Sequence, residues 1–543
     1  MSKVAHYLQE HLLGEVMTSQ DARDYFATDA SIFTLTPSII VYPRNEQDLR
    51  KIARFTWQLA ERGKIIPMTS RGAGTDQSGA AIGEGIIVVT PAHMNKILML
   101  DPKKGVVVTQ PGLNYGKLQQ TLHTHGRFLP PFPASLEYST VGGAVGNNAA
   151  GEKSIKYGAT REFVKRLRVI LANGEVIETG RLSKRELNKK KGLTNFEGEV
   201  YRQLDGLITD NWELIQGAKL PVSKNSAGYE LTSIKHKDGS FDLTPLFVGS
   251  QGTLGIISEI EFETDVYNPN TTLMAAYFDD ATSLTQAVME ITKLRPSAVE
   301  VVDDYLLNFL DTHNPNQIRG LVDKPFPKFI LLVEFDDLSE RNQKRARKKA
   351  AKILKKLATQ SKTETDEEAK ERMWKIRRSS AAVIWQSIGR SKALPIIEDG
   401  TVPLERMGEF MHGVYAIFEK YNLTAAIWGH AGDADLHVHP FFDLSQVGDR
   451  QKIFKVMDEY YSLVISMGGT TAGEHNDGRL RGPYLTQLYG PELYEVFRQV
   501  KQIFDPYNTL NQGVKIDVSS EDAKSMLRQE YSVAHLYDHM PRT

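Results

Sequence analysis

Four side chains in the second half of this sequence have the types and spacing for metal-assisted acid–base chemistry. Trp428-Gly-His430-Ala-Gly-Asp-Ala-Asp-Leu-His437 sets two imidazoles seven positions apart, and Gly473-Glu474-His475 adds a carboxylate and a third imidazole. Two His and one Glu make an ordinary ligand set for a divalent cation with open positions. Taken singly, His430 and His437 are more often hydrogen-bonded structural side chains, so both readings stand at this point. The first half offers a different chemistry in three glycine-rich segments: Arg71-Gly-Ala-Gly-Thr-Asp-Gln-Ser-Gly79, Ser139-Thr-Val-Gly-Gly-Ala-Val-Gly-Asn-Asn-Ala-Ala-Gly151 and Phe247-Val-Gly-Ser-Gln-Gly-Thr-Leu-Gly-Ile-Ile257. Glycine permits the backbone angles and the close approach by which N–H groups converge on phosphate. The first segment has Gln77 where a Rossmann fingerprint has its third glycine, and no Lys follows Gly79 as in a P-loop. One such segment is a turn; three in one region point to a long, phosphate-bearing cofactor. Cysteine is absent, which excludes disulfides, thiol nucleophiles and cysteine-ligated clusters, so redox chemistry requires a bound organic cofactor.

These residues need elements to position them. A helix is expected over 45–63 with Asn45 as its cap, then a strand at 65–68 leading into the first glycine segment and another at 85–90. Hairpins are expected at 96–108, around Asp-Pro-Lys-Lys-Gly, and at 167–178, around Asn173-Gly174, with a helix over 115–125 between them. Composition shifts near 265. Beyond it the order is strand 272–278, helix 281–294, strand 298–302, strand 328–335 and helix 341–357, a split β-α-β arrangement that packs helices on one face of an antiparallel sheet. The last helix is strongly basic, with Ala346, Ala350, Ile353, Leu354 and Leu357 inward and a solvated outer face as its plainest reading. The 543 residues, 41% hydrophobic and 24% charged, suffice for several globular units. Lys and Arg number 66 against 67 Asp and Glu, a balance of −1 that gives no reason to expect a nucleic acid partner. No run approaches the ~20 apolar residues of a membrane span. A cytoplasmic protein, or one resting on the inner face of the membrane, is the expectation.

In order and spacing, the first glycine segment, Gln110-Pro-Gly112, the Ser139 and Asn147 segments, Lys156-Tyr-Gly158 and Gly249-Ser-Gln-Gly-Thr-Leu-Gly-Ile-Ile257 resemble the FAD domain of the vanillyl-alcohol oxidase / p-cresol methylhydroxylase flavoproteins. The closer likeness is to the FAD-linked D-2-hydroxy acid dehydrogenases, a group including D-lactate dehydrogenase, the glycolate oxidase flavin subunit and D-2-hydroxyglutarate dehydrogenase. The likeness covers about residues 33 to 516. It implies an α+β fold: an N-terminal helical extension (1–32), a two-part p-cresol methylhydroxylase-type FAD-binding domain (33–265), and a ferredoxin-like substrate and metal domain (266–516). A C-terminal helical segment returns to the FAD domain, and a tail (517–543) follows.

The resemblance assigns Arg71, Gly72, Ala73, Gly74, Thr75, Gly79, Ser139, Thr140, Gly142 and Gly143 to the pyrophosphate. Pro111, Gly112, Asn148, Gly151, Gly252 and Ile257 are further cofactor-side positions, and Asn511 is placed near the flavin ring. It also implies that His430, His437 and Glu474 bind a divalent metal, zinc first with manganese or iron as alternatives, and that His475 is the base. Arg377, in Trp374-Lys-Ile-Arg377, would grip the substrate carboxylate, and His439 would meet the far end of the acid. In several places this sequence departs from the family pattern: Ala73 and Ala434 replace glycines, Asp76 would repel a pyrophosphate, Asp435 and Asn476 replace Asn and Gly, and Gln512 replaces a Pro. The implied activity is oxidation of a D-2-hydroxy acid to the 2-oxo acid, with a metal-polarised hydroxyl, a neutral His base and hydride passing to a non-covalently bound FAD. The alternatives are a flavin oxidase using oxygen and a flavin-binding subunit of a larger redox complex. Without cysteine, electrons must leave to a separate acceptor: a quinone, an electron-transfer flavoprotein or an iron–sulfur protein. Oligomeric state, a homodimer included, stays open.

Overall fold

The computed structural model of the protein describes residues 3–313, 315–364, 366–378 and 389–538. The N-terminal part is built on two sheets. In the first, Ile39–Tyr42, Ile86–Val89 and Met68–Arg71 run parallel, and the helix Glu46–Ala60 lays Leu49, Ile52 and Ala53 against them. Asn45 caps that helix by accepting the Asp48 N–H at 3.1 Å. The strand expected at 65–68 instead begins at Met68, because Pro67 has no N–H to donate to a ladder. Arg71 therefore ends a strand, and the glycine run starts at its tip.

The segment expected to be a helical extension holds the helix Lys3–His11, the strand Glu15–Met17 and the helix Gln20–Tyr25, and the strand adds an antiparallel edge to Ile39–Tyr42. The second sheet is antiparallel, ordered Ile97–Asp101, Val106–Thr109, Ile256–Glu263, Val164–Ile170, Val176–Glu178. Both expected hairpins are in it. Its central strand, Ile256–Glu263, alternates buried and half-buried side chains directly after the third glycine segment.

The second part is an eight-stranded sheet running Gln360–Glu364, Thr272–Phe278, Phe329–Phe335, Ala298–Asp303, Ala425–His430, Asp435–Phe442, Lys392–Ala393, with Gly400–Thr401 also paired to Asp435–Phe442. Helices cover both faces of this sheet, rather than one as expected. Met274, Ala276 and Phe278 join a core with the helices Ala281–Thr292, Glu340–Leu357 and Met407–Tyr421, while Leu273, Ala275 and Tyr277 pack with Asp304–His313 and Glu367–Arg378. A strand reading Thr-Leu-Met-Ala-Ala-Tyr-Phe is apolar on both parities, which calls for cover on both sides.

The chain then returns through the helix Leu485–Phe504, which packs Val496, Phe497 and Val500 into the core of the second N-terminal sheet. Met68 N–H donates to the Thr509 carbonyl and Asn511 N–H to the Met68 carbonyl, both at 2.7 Å, tying the return to the first sheet. The tail has a structural role that the sequence did not show. Arg528 binds the Asp29 and Phe33 carbonyls, and His535 Nε2 lies 3.1 Å from the Gly74 carbonyl, so the tail braces the first glycine loop from behind. The end of the tail, 539–543, lies outside the described residues.

Candidate active site

The metal-type histidines sit on the hairpin Ala425–His430 and Asp435–Phe442, whose register pairs His430 with Asp435 and Trp428 with His437. Opposed residues, and residues two apart on a strand, share a face. The seven-residue spacing therefore puts His430 and His437 diagonally on one face of the sheet, with His439 beyond. The tight turn needs a left-handed residue, supplied by Ala434 at φ 52°. Asn476, after His475, is likewise left-handed at φ 65°, a conformation that Asn tolerates better than other non-glycine residues. Both departures from glycine thus stand where glycine would be easiest.

Each ring is aimed by its second nitrogen. His430 Nδ1 lies 2.8 Å from Glu300 Oε1, and His437 Nδ1 lies 2.7 Å from the Glu398 carbonyl. Their Nε2 atoms converge on Glu474 Oε1, at 2.9 and 3.3 Å. A cation bound at about 2.0–2.1 Å requires neighbouring ligand atoms roughly 3.0–3.4 Å apart, so this donor set fits a divalent metal. The carboxylate and backbone partners behind it are those that hold metal-binding imidazoles in orientation. Glu474 is gripped from the other side: Oε2 accepts the Gly151 N–H at 2.5 Å and lies 3.3 Å from Lys224 Nζ, which also pairs with Asp435 at 2.8 Å. Although burial works to raise it, Lys224 and then His430 hold the Glu474 carboxyl well below the usual range.

His475 stacks on His437 with ring centroids 5.1 Å apart and binds Glu398 through Nδ1. Glu398 is wholly buried, and its other oxygen accepts from Arg481 at 2.7 Å. Asp399 accepts the Glu474 and His475 N–H groups at 3.1 and 2.7 Å, fixing the loop. Burial lowers the affinity of His475 for a proton, but Glu398 and then Asp399 outweigh it and push the imidazole up to about 10. A neutral base, as the resemblance implies, therefore depends on a dication at His430, His437 and Glu474, whose field opposes that of the surrounding carboxylates.

His437, Glu474 and His475 open onto a cavity of about 1020 Å³ between the two parts of the molecule. That is at the top of the ~300–1,000 Å³ range of small-molecule sites and suits a long ligand. Arg71, Gly72, Ala73, Gly74, Thr75, Pro111, Ser139, Thr140, Gly142, Gly143, Gly252 and Ile257 also line it. Polar atoms are left for a ligand there: Arg71 Nη2, Ser70 Oγ and Ser139 Oγ are buried without a protein partner. Asp76 also lines the cavity, but its oxygens accept the Ser78 and Ala80 N–H groups at 3.0 and 2.7 Å and the Asn147 amide at 2.9 Å, so protein donors take up its charge. Ala73 needs no left-handed conformation.

Five of the expected cofactor positions stand behind this wall. Gly79 packs under Phe33, Gly112 against the Thr90 carbonyl, and Asn148 ends a helix at φ 55°. Gly151 serves Glu474, and Asn511 spends its amide on the Ala80 and Gln251 carbonyls at 2.9 and 2.6 Å. His430 is likewise buried behind the cavity surface. Gly142 touches it by close approach, since a Cβ there would fall 2.6–2.7 Å from Pro111. Gly142→Ala should therefore purify with clearly less flavin per chain than the parent, read from the visible-to-ultraviolet absorbance ratio; full occupancy would remove this loop from cofactor binding.

Arg377 also faces the cavity, with Nε bound to Glu300 Oε2 at 2.6 Å. One buried carboxylate, Glu300, thus holds both His430 and Arg377. Glu300, Lys224, Glu398, Asp399 and Arg481 stand outside the motifs that carry the resemblance. The adjacent acids in Ile396-Ile-Glu-Asp-Gly400, directly after an apolar run, were the one available signal; a lone Lys224 offered none.

An FAD binding domain model matches residues 37–180, and the model for FAD linked oxidases, C-terminal domain, matches residues 268–514. Glycolate oxidase subunit GlcD of Bacillus subtilis (strain 168) is 30% identical over 88% of each chain. The chain belongs to the FAD-linked oxidase family. D-2-hydroxyglutarate dehydrogenase of Escherichia coli (strain K12) is 28% identical, covering 95% of this chain and 52% of that one, so the chain spans about half the length of such relatives. Among solved structures, 4-ethylphenol oxidase from Gulosibacter chungangensis superposes with a TM-score of 0.68 at 15% identity, over 96% of this chain and 99% of that one. That likeness shows the fold: the p-cresol methylhydroxylase type, with flavin-binding and C-terminal oxidase domains. Among the described residues of this family member, no helix is long and apolar enough to cross a membrane.

Proposed function

We propose that the protein oxidises a D-2-hydroxy acid to the 2-oxo acid, with non-covalently held FAD and a divalent metal, zinc in first place, at His430, His437 and Glu474. The observation that supports this most is that His437, Glu474 and His475 share one cavity with the glycine loops. When bound, the metal would draw charge from the substrate hydroxyl and carboxylate oxygens, and the flavin would accept hydride from the carbinol carbon. The chain supplies the rest. His475 Nδ1 is committed to Glu398, so once a bound dication beside the ring offsets the carboxylates and favours the neutral form, Nε2 is the atom that takes the hydroxyl proton. The imidazolium that forms lies between Glu398 and Asp399, and Arg481 keeps Glu398 in place. Arg377, whose Nε is held by Glu300, would receive the substrate carboxylate. With the flavin bound, loss of a hydride to it and of a proton to His475 would leave the 2-oxo acid. A flavin-binding subunit without catalysis would have no use for the assembled His-His-Glu-His set.

Steady-state turnover with a small dye acceptor and a panel of 2-hydroxy acids tests this reading. A D-enantiomer should give its 2-oxo acid, and chelation of the metal should abolish turnover that added zinc, manganese or iron restores. Turnover indifferent to chelation would remove the metal from the mechanism. Acid precipitation tests the mode of FAD attachment, since His123 also lines the cavity, stacked on Tyr267 at 3.9 Å. The yellow colour should enter the supernatant; colour kept in the pellet would show a covalent link and make His123 its first candidate.

A further inference from the structure

We propose that the outer face of the basic helix Glu340–Leu357 is the docking surface for an acidic electron-carrier protein that reoxidises the flavin. This rests on the flavin-enzyme reading above and adds the partner and where it binds. The helix carries nine Lys or Arg against Glu340 alone, a local charge of +8 on a chain whose total is −1. Arg341, Lys344, Arg345, Lys348, Lys349 and Lys352 are exposed. Among the described residues none of these six forms an ion pair. The chain's other lysine-rich helix, Lys184–Lys191, differs: Lys190 and Lys191 are met by Glu197 and Asp205, each at 2.5 Å. A positive field left uncompensated attracts and orients an acidic partner.

Two further observations favour a protein over a lipid surface. The apolar stripe of the helix is already used, with Ala350 and Leu354 buried in the core, so no hydrophobic face remains to enter a bilayer. The helix also begins at the rim of the cavity. Gln343 donates to the Asn270 carbonyl at 2.7 Å and accepts from Thr272 at 2.9 Å, while Asn268 donates to the Asp337 carbonyl at 3.0 Å. Asn268, Pro269, Thr271 and Asp336 line the cavity itself. Beside this start Leu338 is 68% exposed, an apolar anchor within a charged rim. A carrier seated there is beside the opening through which reduced flavin can be reached, and the cysteine-free chain has no cluster of its own to relay electrons. The balance is simple: flavin reduced by two electrons gives one to each of two carriers and releases a proton.

The test uses the holoenzyme with its flavin reduced by titrated dithionite, so docking is read apart from substrate oxidation; failure of hydroxy acids to reduce the flavin would count against the function and leave this test intact. The reduced enzyme is mixed anaerobically with oxidised plant plastocyanin, an acidic copper protein, or with oxidised cytochrome c, a basic haem protein, at about 10 mM and about 300 mM salt. The parent should reduce plastocyanin faster at low salt. The variant Lys344→Glu/Lys348→Glu/Lys352→Glu should be at least about 10-fold slower at low salt and lose the salt dependence, and the corresponding triple Gln variant should fall between. Rates with cytochrome c should not fall, and rates with a small neutral quinone should match the parent. Plastocyanin rates indifferent to salt or to these substitutions would overturn the proposal. Loss of phosphatidylserine vesicle binding in the Glu variant, with plastocyanin rates unchanged, would overturn it in favour of a lipid surface.

Discussion

Replacing His475 by asparagine should slow reduction of the flavin by substrate by about 10²–10⁴-fold, the range lost when a general base is removed. FAD and metal content should stay at parental levels. The His475 Nε2 atom lies 3.7 Å from Glu474 Oε1, beyond the 2.9 and 3.3 Å at which the two other imidazoles crowd that oxygen, so its removal should leave the proposed metal set of His430, His437 and Glu474 whole. Rapid-mixing absorbance of the bleaching flavin and elemental analysis of the same sample separate the outcomes. Metal lost together with rate would make His475 a ligand. A parental reduction rate would dismiss it from the mechanism. Glu398→Gln should act in the same direction more weakly, because it weakens the partner of Nδ1 while sparing the base itself.

Removing His437 should have the other large effect. Its Nε2 is one of the two imidazole nitrogens on Glu474, and two remaining ligands hold a dication far less well than three. His437→Ala should lose its metal on dialysis and its turnover with it, while flavin content, set by the glycine loops of the other part, stays near parental. Glu300→Gln reaches the same site one bond further back. It leaves His430 as a ligand with a poorer acceptor behind it, and should weaken metal affinity by about 10–100-fold. Full metal content in dialysed His437→Ala would take this residue out of the metal site.

The parts of this structure that could be read from sequence are those with strong local signals. The Asn45 cap, the Asn173-Gly174 hairpin and the strand–helix order after residue 271, apart from the unexpected helix Asp304–His313, each follow from short-range backbone preferences and periodicity. The strand Glu15–Met17 is three residues long, too short to show alternation, and it exists because the edge of Ile39–Tyr42 is there to pair with. The hairpin that carries His430 and His437 is buried on both faces, so it showed no period of two. The site divides in the same way. The expected ligands and the glycine loops lie in compact runs, whereas Lys224, Glu300, Glu398 and Arg481 reach site residues 39 to 250 positions away and meet them only through the packing of the folded chain. Arg377 shows the limit of motif reading: its position faces the cavity as expected, but what sets its guanidinium, the carboxylate of Glu300, is 77 residues away.

The most direct measurement is anaerobic titration of the purified yellow protein with D- and L-enantiomers of lactate, 2-hydroxyglutarate and other 2-hydroxy acids, following the visible spectrum. At least one D-enantiomer should bleach the flavin fully, its L-counterpart should do so far more slowly, and one equivalent of 2-oxo acid should appear per flavin reduced. A protein with bound FAD and metal whose spectrum no 2-hydroxy acid of either hand changes would contradict the proposed activity.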